Sequence, residues 1–471
     1  MNICFLARPS YDNFSISIYK SLIEKHDKTI GGYFITTNSK ETQVVKKNLP
    51  NVKVFETSTY LRNHWESFTK EKFIDYEKKY SCEPLWKYIY TDRFLVSREY
   101  DYVIRVTAGL FSFFEEVFTN NQVDYYYSEA IATLQCYIAF IVGRKLNVKY
   151  ISQMPARGAI DTQFHYLLTE EYQKILGFSE TYRLNSYSDE IFTKAEKYLS
   201  DFENKDSPPK GMLVSGTKPR FRLQFIKLIA LRIYMSHSRF YKDPYSYMYF
   251  QTYKNITDPI KFYFRYRRSK KYYNQANYKE KYVYYPLHYQ PEASTIVCAQ
   301  KYEKQLFFID SWAKSLPADT VLYVKEHYAV LGHRELSFYK ELKKFPNVVL
   351  IDPWESSRKL IENSVAVTTL TGTVGWEAML LRKPVFLGGK IFFDNAPGII
   401  KIDDAYNSFL ANLHNWTEPS RDEVIKYLCE YFNALKKGNA FSAFPEALET
   451  ENIDNLAVAL YDYIIQIGNV K

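Results

Sequence analysis

Cysteine is scarce. Cys4, Cys82, Cys136, Cys298 and Cys429 are scattered through 471 positions, with no C-x-x-C pair among them. That excludes a zinc ribbon or a dithiol redox motif and argues for a reducing compartment. Long apolar runs are missing too. The most membrane-like stretch, LQFIKLIALRIYM, is interrupted by Lys227 and Arg232, well short of the ~20 apolar residues that a span needs. The start, MNICFLARPSYDNFS, has no basic region leading into a long apolar one and reads as a first strand, not as a signal peptide. Neither G-x-x-x-x-G-K-[ST] nor G-x-G-x-x-G occurs, which removes the P-loop and the dinucleotide fingerprint. No metal-ligand cluster, internal repeat or low-complexity tract is found. The expectation is a cytoplasmic protein without a transmembrane helix, using neither a metal nor a cofactor.

What is abundant is aromatic: 44 Tyr and 33 Phe bring the aromatic share to 18%. Tyr has an apolar body and a polar tip, so such a chain can build a core and still bind wet ligands; sugar binding and a lineage-wide Tyr bias both fit. With 46% hydrophobic and 24% charged residues the chain is globular, and its length implies two domains. The net charge of +9 is unevenly placed. Lys218 to Lys271 is dense in Lys and Arg, opposed only by Asp243 and Asp258. A solvated face, an anionic membrane surface and an anionic polymer are the open readings. Nucleic acid ranks last because no nucleic-acid motif accompanies the run.

Short apolar runs alternate with amphipathic ones. NICFLA, GGYFIT, VKVF, VDYYYS and VKYIS read as buried strands, and FSISIYKSLIEKH and EAIATLQCYIAFIVGRKL as helices. A second alternating block holds KYVYYPLHYQ, TVLYVKEH, NVVLID, VAVTTLTG and KPVFLGG. The expected fold is α/β: two doubly wound Rossmann-type domains facing a central cleft. Residues 1–275 form the first, with a helical, basic insert at about 170–275. Residues 276–440 form the second, joined by a linker near Tyr272–Lys281, and 441–471 form a helical segment packing back on the first.

In the second block the polar residues gather at strand ends: His288 and Gln290, then Lys325, Glu326 and His327, then Thr371, Gly372 and Thr373. In TTLTGTVGWEAMLL, the glycine permits a close backbone turn, the threonines offer hydroxyls, and a helix starting near Val374 presents free N–H groups to an anion. Glu377, one turn on, is placed to accept from ribose hydroxyls. A helix cap with a solvated carboxylate explains TGTVG alone; the three strand ends together favour a phosphate site.

These same segments, YVYYPLHYQPEAST, YVKEHYAVLGHRELSFYKEL and NVVLIDPWESSRKLIENSVAVTTLTGTVGWEAMLLRKPVFLGG, resemble bacterial capsule polysaccharide biosynthesis proteins, a group of GT-B-type glycosyltransferases. The similarity runs from about Lys281 to Gly389, with Tyr328 where the group's KEHP pattern has Pro. It implies a nucleotide-sugar donor in the second domain, at His288, Gln290, Lys325, Glu326, His327, Thr371, Gly372, Thr373 and Glu377, and a glycan or lipid-linked glycan acceptor held by the first. Inverting transfer needs a base at the acceptor hydroxyl. Glu129, after a strand facing the cleft, is the candidate and Asp12, after the first strand, the alternative. Transfer to a capsule, lipopolysaccharide or related surface glycan is the reading preferred over a non-catalytic glycan-binding member of a capsule assembly complex or a nucleotide-sugar epimerase.

Overall fold

The computed structural model describes residues 1–9, 11–80, 84–96, 98–156, 165–178, 187–204, 227, 229–231, 233–234, 243–248, 258–402, 409–442 and 444–468. Within these, the apolar runs of the first half build one sheet. Strands β1 (Asn2–Ala7), β2 (Gly31–Thr36), β3 (Lys53–Glu56), β4 (Tyr125–Glu129) and β5 (Lys149–Pro155) are parallel, and β6 (His165–Thr169) turns back antiparallel to β5. Ile3 to Ala7 are all buried because both faces of the sheet are covered. Alternation sends Cys4 and Leu6 into a cluster with Phe111 and Ile138, from the helices Tyr100–Asn120 and Leu134–Leu146. Ile3 and Phe5 join Ile18 of the helix Asp12–Lys25 and Leu456 of the helix Thr450–Gly468 on the other face.

The second sheet contains β7 (Lys281–Pro286), β8 (Thr320–Lys325), β9 (Val348–Ile351), β10 (Ala366–Thr369), β11 (Val385–Leu387) and β12 (Ile399–Lys401). All its pairs are parallel, in the order β12-β11-β10-β7-β8-β9. Here too alternation decides the faces: Tyr282 and Tyr284 pack with Leu360 and Ala378, Val283 and Tyr285 with Phe308 and Trp312. The two doubly wound Rossmann-type units read from the sequence are therefore present, in a GT-B-like build. After the second sheet the chain returns to the first: β13 (Lys436–Lys437) pairs antiparallel with β6, giving the order β13-β6-β5-β4-β1-β2-β3. The Ser21 hydroxyl donates to Asp454 at 2.7 Å, fastening the last helix to the first.

Two contacts fix how the units meet. Met154 and Leu167 of the first share a core with Trp376, Phe392 and Tyr427 of the second and with Leu199 of the helix Asp189–Asn204. In addition, Ile296, Val297 and Cys298, which follow β7, lie in the same cluster as Leu134 and Cys136, which follow β4. The carboxyl ends of β4 and β7 consequently face one another, where open α/β sheets place their ligands.

Most of the basic segment Lys218–Lys271, and with it most of LQFIKLIALRIYM, lies outside the described residues. Its described part includes the helix Asp258–Ser269, on which Lys261, Arg267 and Arg268 are exposed, while Arg265 pairs with Glu335. Among the described residues no helix is long and apolar enough to cross a membrane.

Candidate functional site

β10 stops at Thr369, and the chain turns through Leu370–Gly372 into the helix Thr373–Leu380. Gly372 is its N-cap, with an ordinary φ of −72°, so no left-handed conformation calls for glycine. Close approach does: a Cβ there would sit 2.9 Å from Thr369 Oγ1 and 3.2 Å from His288 Nε2. The turn is thus packed against the protein itself. His288 Nε2 accepts the Thr371 N–H at 3.2 Å, the Gly372 N–H donates to Thr369 Oγ1 at 3.1 Å, and the Thr371 hydroxyl donates to the Ser294 carbonyl at 2.7 Å. Burial, then the charges of His327 and Arg334, lower the His288 pKa to about 3. Its ring is neutral and works as an acceptor that holds the turn.

Two of the expected donor residues, His288 and Thr371, are therefore internal ties. The groups left facing outward are the N–H of Thr373 and of Val374, neither of which has an acceptor among the described residues, and the partly exposed Thr373 side chain. A helix start with open N–H groups attracts an anion, by roughly 0.3–1 kcal/mol at an exposed site.

Lys325 supplies the rest of the field. It ends β8 beside Pro286 of β7 and Ile351 of β9, is 8% exposed, and donates to Ser357 Oγ at 2.7 Å. Burial lowers its pKa to about 8, against the opposing charges of Glu377, Glu355 and Asp352. Glu377, 9% exposed with Oε1 unpartnered, is pushed by burial up to about 7, against Lys325 and Arg358. Each is the other's strongest counter-charge. The site therefore contains an ammonium and a carboxyl that both hold their charge with difficulty, beside an open helix start.

The remaining residues orient this core. Both oxygens of Glu326 are engaged: Arg334 Nε lies at 3.0 Å, Tyr339 OH donates at 2.8 Å, and the His327 N–H donates at 2.9 Å. Arg334 also donates to the His288 carbonyl at 2.6 Å. Gln290 Oε1 accepts from Gln305 Nε2 at 2.6 Å, and Gln305 Oε1 accepts the His288 N–H at 2.8 Å. His327 stacks on Tyr328, with ring centroids 4.8 Å apart, and burial lowers its pKa. Glu326 and Gln290 thus act through Arg334 and Gln305, which sequence reasoning did not single out. The only local sign of Gln305 is a polar residue opening the apolar helix QLFFIDSWAKS.

Across the contact, Glu129 is gripped on both oxygens by Arg8, with Arg8 Nε at 2.6 Å from Oε1. Arg8 was likewise not anticipated. Asp12 opens the next helix, where Oδ1 accepts the Asn13 N–H at 2.9 Å and the Asp12 N–H donates to the Arg8 carbonyl at 3.0 Å. Among the described residues no group of three or more His, Cys, Asp or Glu could hold a metal ion.

Residues 217–427 match the family model for capsule polysaccharide biosynthesis proteins. The match bears out the resemblance read from Lys281–Gly389 and extends it in both directions. Among curated proteins no sequence matches. Solved structures aligned with the chain include Thermosulfurimonas dismutans KpsC, beta Kdo 2,7 transferase, at 12% identity and a TM-score of 0.34, covering 97% of this chain and 99% of that one. The beta Kdo 2,4 transferase of the same KpsC aligns at 12% identity and a TM-score of 0.36, covering 74% and 93%. UDP-GlcNAc 2-epimerase from Neisseria meningitidis aligns at 12% identity and a TM-score of 0.23, covering 99% and 100%. The fold assignment rests on the two sheets themselves.

Proposed function

We propose that this chain is a metal-independent glycosyltransferase, moving a sugar from a nucleotide-sugar donor to a capsule, lipopolysaccharide or related surface glycan. The observation that carries the reading is the open start of the helix Thr373–Leu380 beside buried Lys325. In this account the donor phosphates bind there: the Thr373 and Val374 N–H groups take phosphate oxygens, Lys325 balances the charge that grows on the leaving phosphate, His327 donates a hydrogen bond to it, and Glu377 faces the ribose. Nucleotide sugar is the substrate, and no cofactor is required.

At the acceptor side the geometry favours Asp12 over Glu129 as base. Arg8 occupies both oxygens of Glu129, whereas Asp12 Oδ2 has no hydrogen-bond partner among the described residues. Glu129 then positions Arg8 at the mouth of the first unit. The exposed Lys261, Arg267 and Arg268, with half-exposed Phe264, would hold the protein on the inner, anionic leaflet. Thermal-shift screening with CMP-, UDP-, GDP- and dTDP-linked sugars tests the reading. One class should raise the unfolding midpoint, and failure of all four to do so would remove the donor site.

A further inference from the structure

We propose a second ligand site, for an acidic saccharide, on the flank where the two units meet. A cavity of about 680 Å³ opens there, a size typical of small-molecule sites. Its walls are the carboxyl end of the helix Leu134–Leu146 with the start of β5, the segment after β6, and the loop between β11 and β12. In the first unit it lies at the amino end of β5, opposite to the end where Glu129 of neighbouring β4 stands; in the second it lies beyond the carboxyl end of β11, and no donor-site or acceptor-site residue lines it.

Three features of the lining point to the ligand. Arg144, Lys149, Lys174, Lys390 and Lys401 outnumber Glu170, Glu171 and Asp394 in the lining; Glu171 lies in the field of Arg144 and Lys390, and Lys401 is paired with Asp394 at 3.4 Å. Tyr172, Phe178 and Phe392 provide aromatic surface, and Lys390 Nζ lies 4.8 Å from the Tyr172 ring centroid. Tyr172 (φ 53°) and Gln173 (φ 59°) are consecutive left-handed residues without being glycine. Such a conformation persists only where the surroundings impose it, and it tends to mark binding surfaces. Here it sets a tyrosine ring beneath a lysine.

A pyranose lays its C–H face on an aromatic ring, and a sugar carboxylate pairs with lysine or arginine in charge-assisted hydrogen bonds. A saccharide carrying carboxylates uses both kinds of surface at once, a neutral one only the rings, and a simple anion only the cations. Both units contribute walls, so the ligand bridges them. The inference rests on the cavity alone and does not need the donor-site reading.

Calorimetric titration of the full chain tests it with a hyaluronan tetrasaccharide, a chitin tetrasaccharide as neutral control, and inorganic phosphate. The acidic tetrasaccharide should bind at least about ten-fold more tightly than either control. Lys390→Ala, and separately Arg144→Ala with Lys149→Ala, should each weaken it by about ten-fold, with unchanged unfolding midpoints and unchanged CMP and UDP affinity. No binding, equal binding of the neutral sugar, equal binding of phosphate, or full affinity in the variants would each overturn the proposal. Failure of the donor reading would appear instead as absent nucleotide binding, with the saccharide titration unaffected.

Discussion

Replacing Glu377 by Gln should stabilise the protein more at pH 8 than at pH 5, by about 2–3 kcal/mol. Glu377 is 9% exposed, and burial raises its pKa from 4.5 to about 7. The folded state therefore binds its proton more readily than the unfolded state, so wild-type stability falls as pH rises from 4.5 to about 7. At about 1.4 kcal/mol per pH unit, the loss is about 3 kcal/mol. Glutamine matches the protonated acid in shape and cannot ionise, so this component disappears. Lys325 loses its main counter-charge in the variant, but its folded pKa is already about 8, and shedding its proton at pH 8 adds little cost. Lys325 has the opposite sign: its lowered pKa gives a rise in stability between about 8 and 10.5, present in both proteins. Urea unfolding of wild type and variant from pH 5 to pH 8 reads the difference. A stability difference that stays constant across that range, or a variant less stable at pH 8, would refute the coupled burial of Lys325 and Glu377.

Asp12→Asn should lower transfer by about 10²–10⁴-fold with nucleotide affinity intact, and near-normal turnover would transfer the base role elsewhere. Transfer should continue in EDTA, because Lys325 and the helix start supply the charge neutralisation; complete loss restored by Mg²⁺ or Mn²⁺ would show otherwise. The protein should co-sediment with anionic liposomes at low salt and be released at high salt, and equal, salt-independent recovery with neutral liposomes would leave only a solvated basic face.

The sheets were legible because buried parallel strands are local apolar runs. NICFLA and GGYFIT coincide with β1 and β2 residue for residue. What escaped was non-local. β6 is recognisable only by its antiparallel pairing with β5 and with Lys436–Lys437 from the far end of the chain. The helix read from EAIATLQ begins at Leu134, where Thr133 caps it and Asp92 accepts the first N–H, a partner about forty residues away. The site shows the same division. Strand ends brought His288, Lys325 and Thr371 to one rim, but which way each side chain turned depended on Gln305, Arg334 and Ser294. Polar residues at a strand end mark the place and not the role, and His288 and Thr371 proved to be ties within the turn. Glu129 read as a candidate base because nothing local pairs it with Arg8, which is on a different strand end.

The central claim is that nucleotide-sugar phosphates bind at the start of the helix Thr373–Leu380 with Lys325 as their cation. Calorimetric titration of the Lys325→Ala, Thr373→Ala double variant, with whichever nucleotide raises the wild-type unfolding midpoint, tests it most directly. The account predicts affinity reduced by about 10²-fold or more, from the loss of a partly desolvated charge contact and a hydroxyl donor, in a protein whose far-ultraviolet circular dichroism is unchanged. Wild-type affinity in that folded variant would contradict the site.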